Sequence, residues 1–206
     1  MKNYSQRWLL TTLMLCAALL IACQAPVDEL TPPTEEPSTD LSYLKNSNPA
    51  TVDNSDLPIT PIEELHLTGV APKVDITHYR LIVDGLVDTP LTLTYEAILA
   101  YPTVTEVVLL ICPGVFVDNA EWTGVPVTTL LAEAGIKPEA SEITFHSMDA
   151  YRVVMSLEEA QQEGVFLAHM VNGQVLPEEH GYPLRLVVRG KYGSRWAKWV
   201  ERIQVK

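Results

Sequence analysis

The 206-residue chain contains three cysteines, Cys16, Cys23 and Cys112, and only the last lies beyond residue 23. Cys112 follows a run of β-branched and aliphatic residues and precedes Pro113-Gly114, so it stands where a buried strand opens into a turn. That is a common way to build a rigid site. A free cysteine also serves as a small buried hydrophobe. Three active uses compete with that one: a nucleophile, a redox thiol or a metal-bound thiolate. Cys112 has no Cys-x-x-Cys partner, which weakens dithiol redox chemistry. Nucleophilic catalysis would want a nearby base, for which His146, His169 and His180 are available without a local signature. None of the five histidines sits at zinc-ligand spacing. A soft metal already chelated by a cofactor, by contrast, needs only one protein thiolate.

The second chemical feature is cationic. Residues 65–184 hold 16 acidic and four basic side chains, whereas 185–206 hold seven basic and one acidic. Arg185, Arg189, Lys191, Arg195, Lys198, Arg202 and Lys206, interspersed with Gly190 and Gly193, could hold a phosphate or pyrophosphate by side chain and exposed N–H together. Gly193 would permit close approach of backbone to ligand. The competing reading is that these cations balance the acidic remainder of the surface.

Over the whole chain 14 Lys and Arg oppose 26 Asp and Glu, a net charge of −12. Such a balance argues against a nucleic-acid partner, which needs cations in excess. The length suits one domain with appendages. Lys2 and Arg7 precede an apolar run over 8–22, about the length of a signal-peptide core and short for a spanning helix. Leu20-Ile21-Ala22-Cys23 resembles the bacterial lipoprotein signal. Residues 1–22 are therefore expected to be a signal peptide and Cys23 to be lipidated, with an uncleaved anchor as the alternative. Either way the remainder is exported and held at a membrane. Residues 24–64 carry seven prolines, nine acidic residues and one basic residue without hydrophobic periodicity. The stretch 23–64 thus reads as a disordered acidic linker, and the folded domain as 65–206.

Within that domain short apolar runs alternate with Gly, Pro and Asp turns. Strands are expected over 79–84, 106–111, 143–145, 152–155, 165–171, 174–176, 184–188 and 199–205. Helices are expected over 94–99, 125–134 and 156–162, with Thr94 as a cap and Ser156-Leu-Glu-Glu159 as a capping box. Asn172-Gly173 predicts a type I′ hairpin turn. Strands outnumber irregularly inserted helices, which gives an α+β class.

Taken in order, Cys112, Glu121-Trp-Thr-Gly-Val-Pro-Val127, Leu130-Leu131, Asn172-Gly173, His180-Gly-Tyr-Pro-Leu-Arg-Leu-Val-Val188, Lys191-Tyr-Gly193 and Lys198-Trp199 resemble the molybdopterin-binding domain of the sulfite oxidase family. That family includes the catalytic subunit of the periplasmic methionine sulfoxide reductase. Tyr79-Arg-Leu-Ile-Val-Asp-Gly85 with Pro90-Leu91 matches its opening strand, and the likeness covers about residues 75–206. It implies an α+β fold of mixed sheets with short inserted helices and a molybdenum-molybdopterin cofactor. It further implies oxygen-atom transfer coupled to electron transfer. By matching motif, Cys112 takes the place of the molybdenum-coordinating cysteine. His180, Arg185 and Lys198 take places that contact the pterin and its phosphate, and Ser147 is a further candidate. Family members that oxidise sulfite carry arginines soon after the metal cysteine, yet here no arginine occurs between Arg80 and Arg152. An oxyanion without a nearby cation would be poorly bound, so sulfite oxidation is not expected, and electrons would pass to or from a separate redox partner. The rival reading is a non-catalytic anion- or protein-binding lipoprotein module on the same fold.

Overall fold

The computed structural model describes residues 40–206. The expected signal peptide, Cys16, Cys23 and the first part of the linker lie outside the described residues. Two five-stranded sheets face each other across one core. The first has the order β2-β1-β10-β5-β6, from β1 (Leu81–Gly85), β2 (Leu91–Leu93), β5 (Glu142–Ser147), β6 (Arg152–Ser156) and β10 (Val200–Val205). It is mixed, because β10 runs parallel to β1 and antiparallel to β5. The second comprises β3 (Val104–Cys112), β4 (Phe116–Pro126) and β7 (Val165–Val171), with β8 (Gln174–Val175) and β9 (Arg185–Val188) both on the outer edge of β7. Three short helices, α1 (Tyr95–Leu99), α2 (Val127–Ala134) and α3 (Leu157–Ala160), are inserted between strands. This is the expected α+β architecture.

Local chemistry explains the elements. Thr94 accepts from the Ala97 N–H and Ser156 from the Glu159 N–H, and each side chain closes a helix start. Asn172 and Gly173 both have positive φ, at 48° and 72°, as the type I′ turn between β7 and β8 requires. In β3, Val108 and Leu110 join the inter-sheet core, with Cys112 packed against it. Leu109 and Ile111 belong to a second cluster with Leu41 and Val117. Burial on both faces is why this run lacks alternation.

Two expectations are corrected. Residues 116–126 form the longest strand, and the helix expected from 125 starts at Val127 instead, because Pro126 is extended at ψ 134°. The signal was obscured by Asp118, Asn119 and Glu121, polar residues within a largely buried strand. The linker also ends earlier than residue 64. From Leu41 the chain is laid across the outer face of the β3–β4 hairpin. Asn54 Nδ2 donates to Asn119 Oδ1 at 2.9 Å, the Thr60 N–H to the Asn119 carbonyl at 2.7 Å and the Asn119 N–H to Thr60 Oγ1 at 3.1 Å. A buried asparagine whose partners come from 40–64 makes that segment part of the domain.

At Gly124, where the β4–β7 register shifts, an added Cβ would lie 2.1 Å from the Leu167 carbonyl oxygen and 2.5 Å from Ala168 Cα. Neither backbone atom can yield without parting the strands. Gly124→Ala is therefore expected to destabilise the domain by about 3 kcal/mol, read as a clear drop in thermal midpoint beside an exposed Glu139→Ala control.

Candidate active site around Cys112

The end of β3 and the turn after it fix Cys112. The Val115 N–H closes the turn on the Cys112 carbonyl at 2.9 Å, Gly114 adopts φ 72°, and its N–H is held at 3.0 Å by the Lys45 carbonyl of the 40–64 strap. Cys112 is half-buried, is free, and opens onto a cleft of about 320 Å³. Leu110 and Phe116 of the hairpin form one wall. Arg185 at the start of β9, with Trp196, Lys198 and Trp199 from the β9–β10 connection, form a second. Thr68 and Gly69, ahead of β1, and Asp149 and Tyr151 of the β5–β6 turn complete it.

The cleft is dominated by a buried cation. The Arg185 guanidinium carbon stands 5.0 Å from the Trp122 ring centre and 5.7 Å from that of Trp196, sites that favour a planar cation. Nη1 donates to the His180 carbonyl at 3.0 Å, while the buried Nε has no partner. Burial lowers its pKa to about 10, and the charge of Asp118 acts in the opposite sense. Asp118 is itself pushed up by burial and is anchored by His66, which gives it both its backbone N–H at 3.1 Å and its Nδ1 at 2.7 Å. The His66 ring stacks on Phe116 at 4.6 Å. Lys198 is lowered to about 8, by burial first and by Arg185 second, although Nζ donates to the Thr68 and Glu179 carbonyls. The same burial and the same two cations hold His180 down to about 4, so at neutral pH it is an uncharged imidazole.

Of the residues singled out in the sequence, the fold brings Cys112, Arg185, Gly193 and Lys198 onto one cleft. Ser147 and His180 are buried beside it without lining it, and the Ser147 hydroxyl has no partner. Lys191 is turned away. The expected anion-holding basic stretch is mostly a set of ion pairs: Lys191 and Arg195 meet Glu159 at 3.2 and 2.9 Å, Arg189 meets Glu106 at 2.9 Å, Arg202 meets Asp84 at 2.9 Å and Lys206 meets Glu142 at 3.4 Å. Arg185 and Lys198 alone among the seven have no carboxylate partner and face the cleft. Gly193 has a packing reason as well, since a Cβ there would press on Leu110 Cδ1 at 3.2 Å. Sequence reasoning missed Thr68, Asp149 and Tyr151, which no spacing ties to Cys112, and left His66 unassigned.

What this arrangement offers is a soft thiolate ligand at one end and, within the same cleft, a guanidinium with an unsatisfied N–H beside an ammonium. Among the described residues no three His, Cys, Asp or Glu side chains gather into a metal cluster, so a metal here would rely on Cys112 and on ligands it brings itself. The two cations suit a phosphate. Because Lys198 carries its charge only below about pH 8, sulfate, which does not titrate in this range, is expected to bind the cofactor-free protein on the order of tenfold more weakly at pH 9.5 than at pH 7. Lys198→Met should bind weakly and equally at both, as calorimetry can read.

Residues 68–206 match the family described as oxidoreductase molybdopterin binding domain. The chain is 33% identical over 147 residues to the uncharacterized oxidoreductase YuiH of Bacillus subtilis, covering 70% of this chain and 74% of that protein. It is 32% identical over 180 residues to an NADPH nitrate reductase of Phytophthora infestans, covering 71% of this chain but 20% of that enzyme. The crystal structure of the sulfane dehydrogenase SoxCD from Paracoccus pantotrophus aligns with a TM-score of 0.63 at 29% identity, over 90% of this chain and 56% of that one. These relatives imply a molybdenum cofactor. The lone thiol, the orphaned Arg185 Nε and the unpaired Lys198 fit one that carries a phosphate. The chain therefore belongs to the oxidoreductase molybdopterin binding domain family, of the sulfite oxidase type, and has its fold.

Proposed function

We propose that the protein is a catalytic oxidoreductase that works at a Cys112-ligated molybdenum, exported and anchored to a membrane through a lipid on Cys23. The observation that carries the catalytic reading is the convergence on one cleft of an unpaired thiol and a desolvated guanidinium with a free N–H. A module that only binds anions would have use for Arg185 and Lys198 and none for Cys112. When bound, the cofactor supplies a redox-active metal at which one oxygen atom and two electrons can be exchanged.

The chain's own residues orient and shield. Cys112 Sγ supplies a soft ligand from a backbone position that the strap and the turn hold rigid. Arg185, fixed against two indoles, would address the phosphate, and Lys198 would add a point charge. His180 positions Arg185 through its carbonyl, and as a neutral ring it adds no charge to an already cationic wall. Trp196 and Trp199 exclude water from the inner cleft. Gly193 lines the cleft itself, and Ser147 is buried beside it with an unpaired hydroxyl. Electrons are exchanged with a separate redox partner at the membrane face.

The test is the molybdenum content of the mature protein from a molybdate-fed host, beside Cys112→Ala. About one metal per chain, lost or made redox-silent by Cys112→Ala, is the expected result. Folded, metal-free protein indifferent to the substitution would overturn this reading in favour of the binding module. Labelling of Cys23 by a radiolabelled fatty acid, abolished by Cys23→Ala, tests the anchor independently.

A further inference from the structure

The charge on the cleft wall bears on which substrates can enter. Arg185 is enclosed by Trp122 and Trp196 and tied to the His180 carbonyl, and Lys198 is tied to the Thr68 and Glu179 carbonyls. The one other charged side chain on the wall is Asp149, an exposed carboxylate close enough to Lys198 to support its charge. No cation follows Cys112 on its hairpin, where residues 113–117 are Pro-Gly-Val-Phe-Val. Apart from these charges the lining is largely apolar, with Leu110, Phe116, Trp196 and Trp199 on the wall and Tyr151 beside them 45% exposed.

We propose that Asp149 is a specificity-determining residue and that the substrate is an uncharged or cationic compound with an apolar body, oxyanions being excluded. This rests on the oxidoreductase reading above. With a cofactor phosphate on Arg185 and Lys198, Asp149 would be the remaining charge on the wall, and a carboxylate in a partly desolvated cleft repels an approaching anion. Exchange of an oxygen atom with water, X + H2O giving XO with release of two protons and two electrons, leaves X and XO with the same charge. One carboxylate therefore filters substrates in both directions. The electrons pass to or from a separate one-electron carrier, for which reduced methyl viologen stands in.

The experiment uses molybdenum-loaded mature protein and three pyridine N-oxides of similar shape. They carry a 3-carboxamide (neutral), a 3-carboxylate (anionic) or a 3-trimethylammonium group (cationic). Binding is read by quenching of tryptophan fluorescence, since Trp196 and Trp199 line the cleft. Turnover is read with reduced methyl viologen, with nitrate as the oxyanion comparison. The neutral and cationic compounds are expected to bind at least about fivefold more tightly than the carboxylate. Asp149→Asn should bring neutral and anionic compounds within about twofold, and Asp149→Arg should reverse the order. Equal or tighter binding of the carboxylate, faster turnover of nitrate than of the neutral N-oxide, no binding of any of the three, or a preference untouched by Asp149→Asn would each overturn the proposal. Metal-free protein would instead overturn the oxidoreductase reading on which it stands.

Discussion

A guanidinium buried against two indoles is the constraint around which this domain is arranged. Taking Arg185 out of water is costly, and no carboxylate contacts it directly. Its charge is tolerated because Trp122 and Trp196 present their faces, the His180 carbonyl accepts one N–H, and Asp118 supplies a negative field from the neighbouring hairpin. These supports come from three elements: β4, the β9–β10 connection and the turn before β9. The positions of those elements relative to β9 are thus specified by one charge. An anion arriving in the cleft completes a hydrogen-bond set that the polypeptide leaves one acceptor short.

The opposite face of the same hairpin is secured by residues that composition alone would assign to a spacer. Leu41 enters a small cluster with Leu109, Ile111 and Val117, and Asn54 and Thr60 satisfy Asn119. The hairpin is thereby fixed from behind by the strap and from the front by Trp122 and Phe116. Cys112 needs both, because a thiol at the tip of a two-stranded ribbon would otherwise move with the ribbon's twist.

Much of this was legible beforehand. Aliphatic runs, Asn172-Gly173, Thr94 and Ser156 placed most strands, the hairpin and two helix starts, because those signals are local. Cys112, Arg185, Gly193 and Lys198 were found from residue type and motif order. Two kinds of feature stayed hidden. Strand β4 carries two buried polar side chains, Asp118 and Asn119, whose partners lie 52 and 65 residues away in sequence, so its period is masked in any short window. The basic stretch mixed two functions that only geometry separates: Arg189, Lys191, Arg195, Arg202 and Lys206 are bound to carboxylates, whereas Arg185 and Lys198 are not. Charge density cannot tell the two groups apart, because the distinction lies in where each carboxylate sits.

The strand order has a consequence in time. β10 is the central strand of the first sheet, yet of all the strands it comes last along the chain, and the connection leading to it carries five cleft residues, Gly193, Ser194, Trp196, Lys198 and Trp199. A nascent chain that has emerged only as far as β9 has two unpaired strand edges, on β1 and β5, and a half-built cleft. The first sheet, and the cleft with it, is therefore completed only when the last strand is in place.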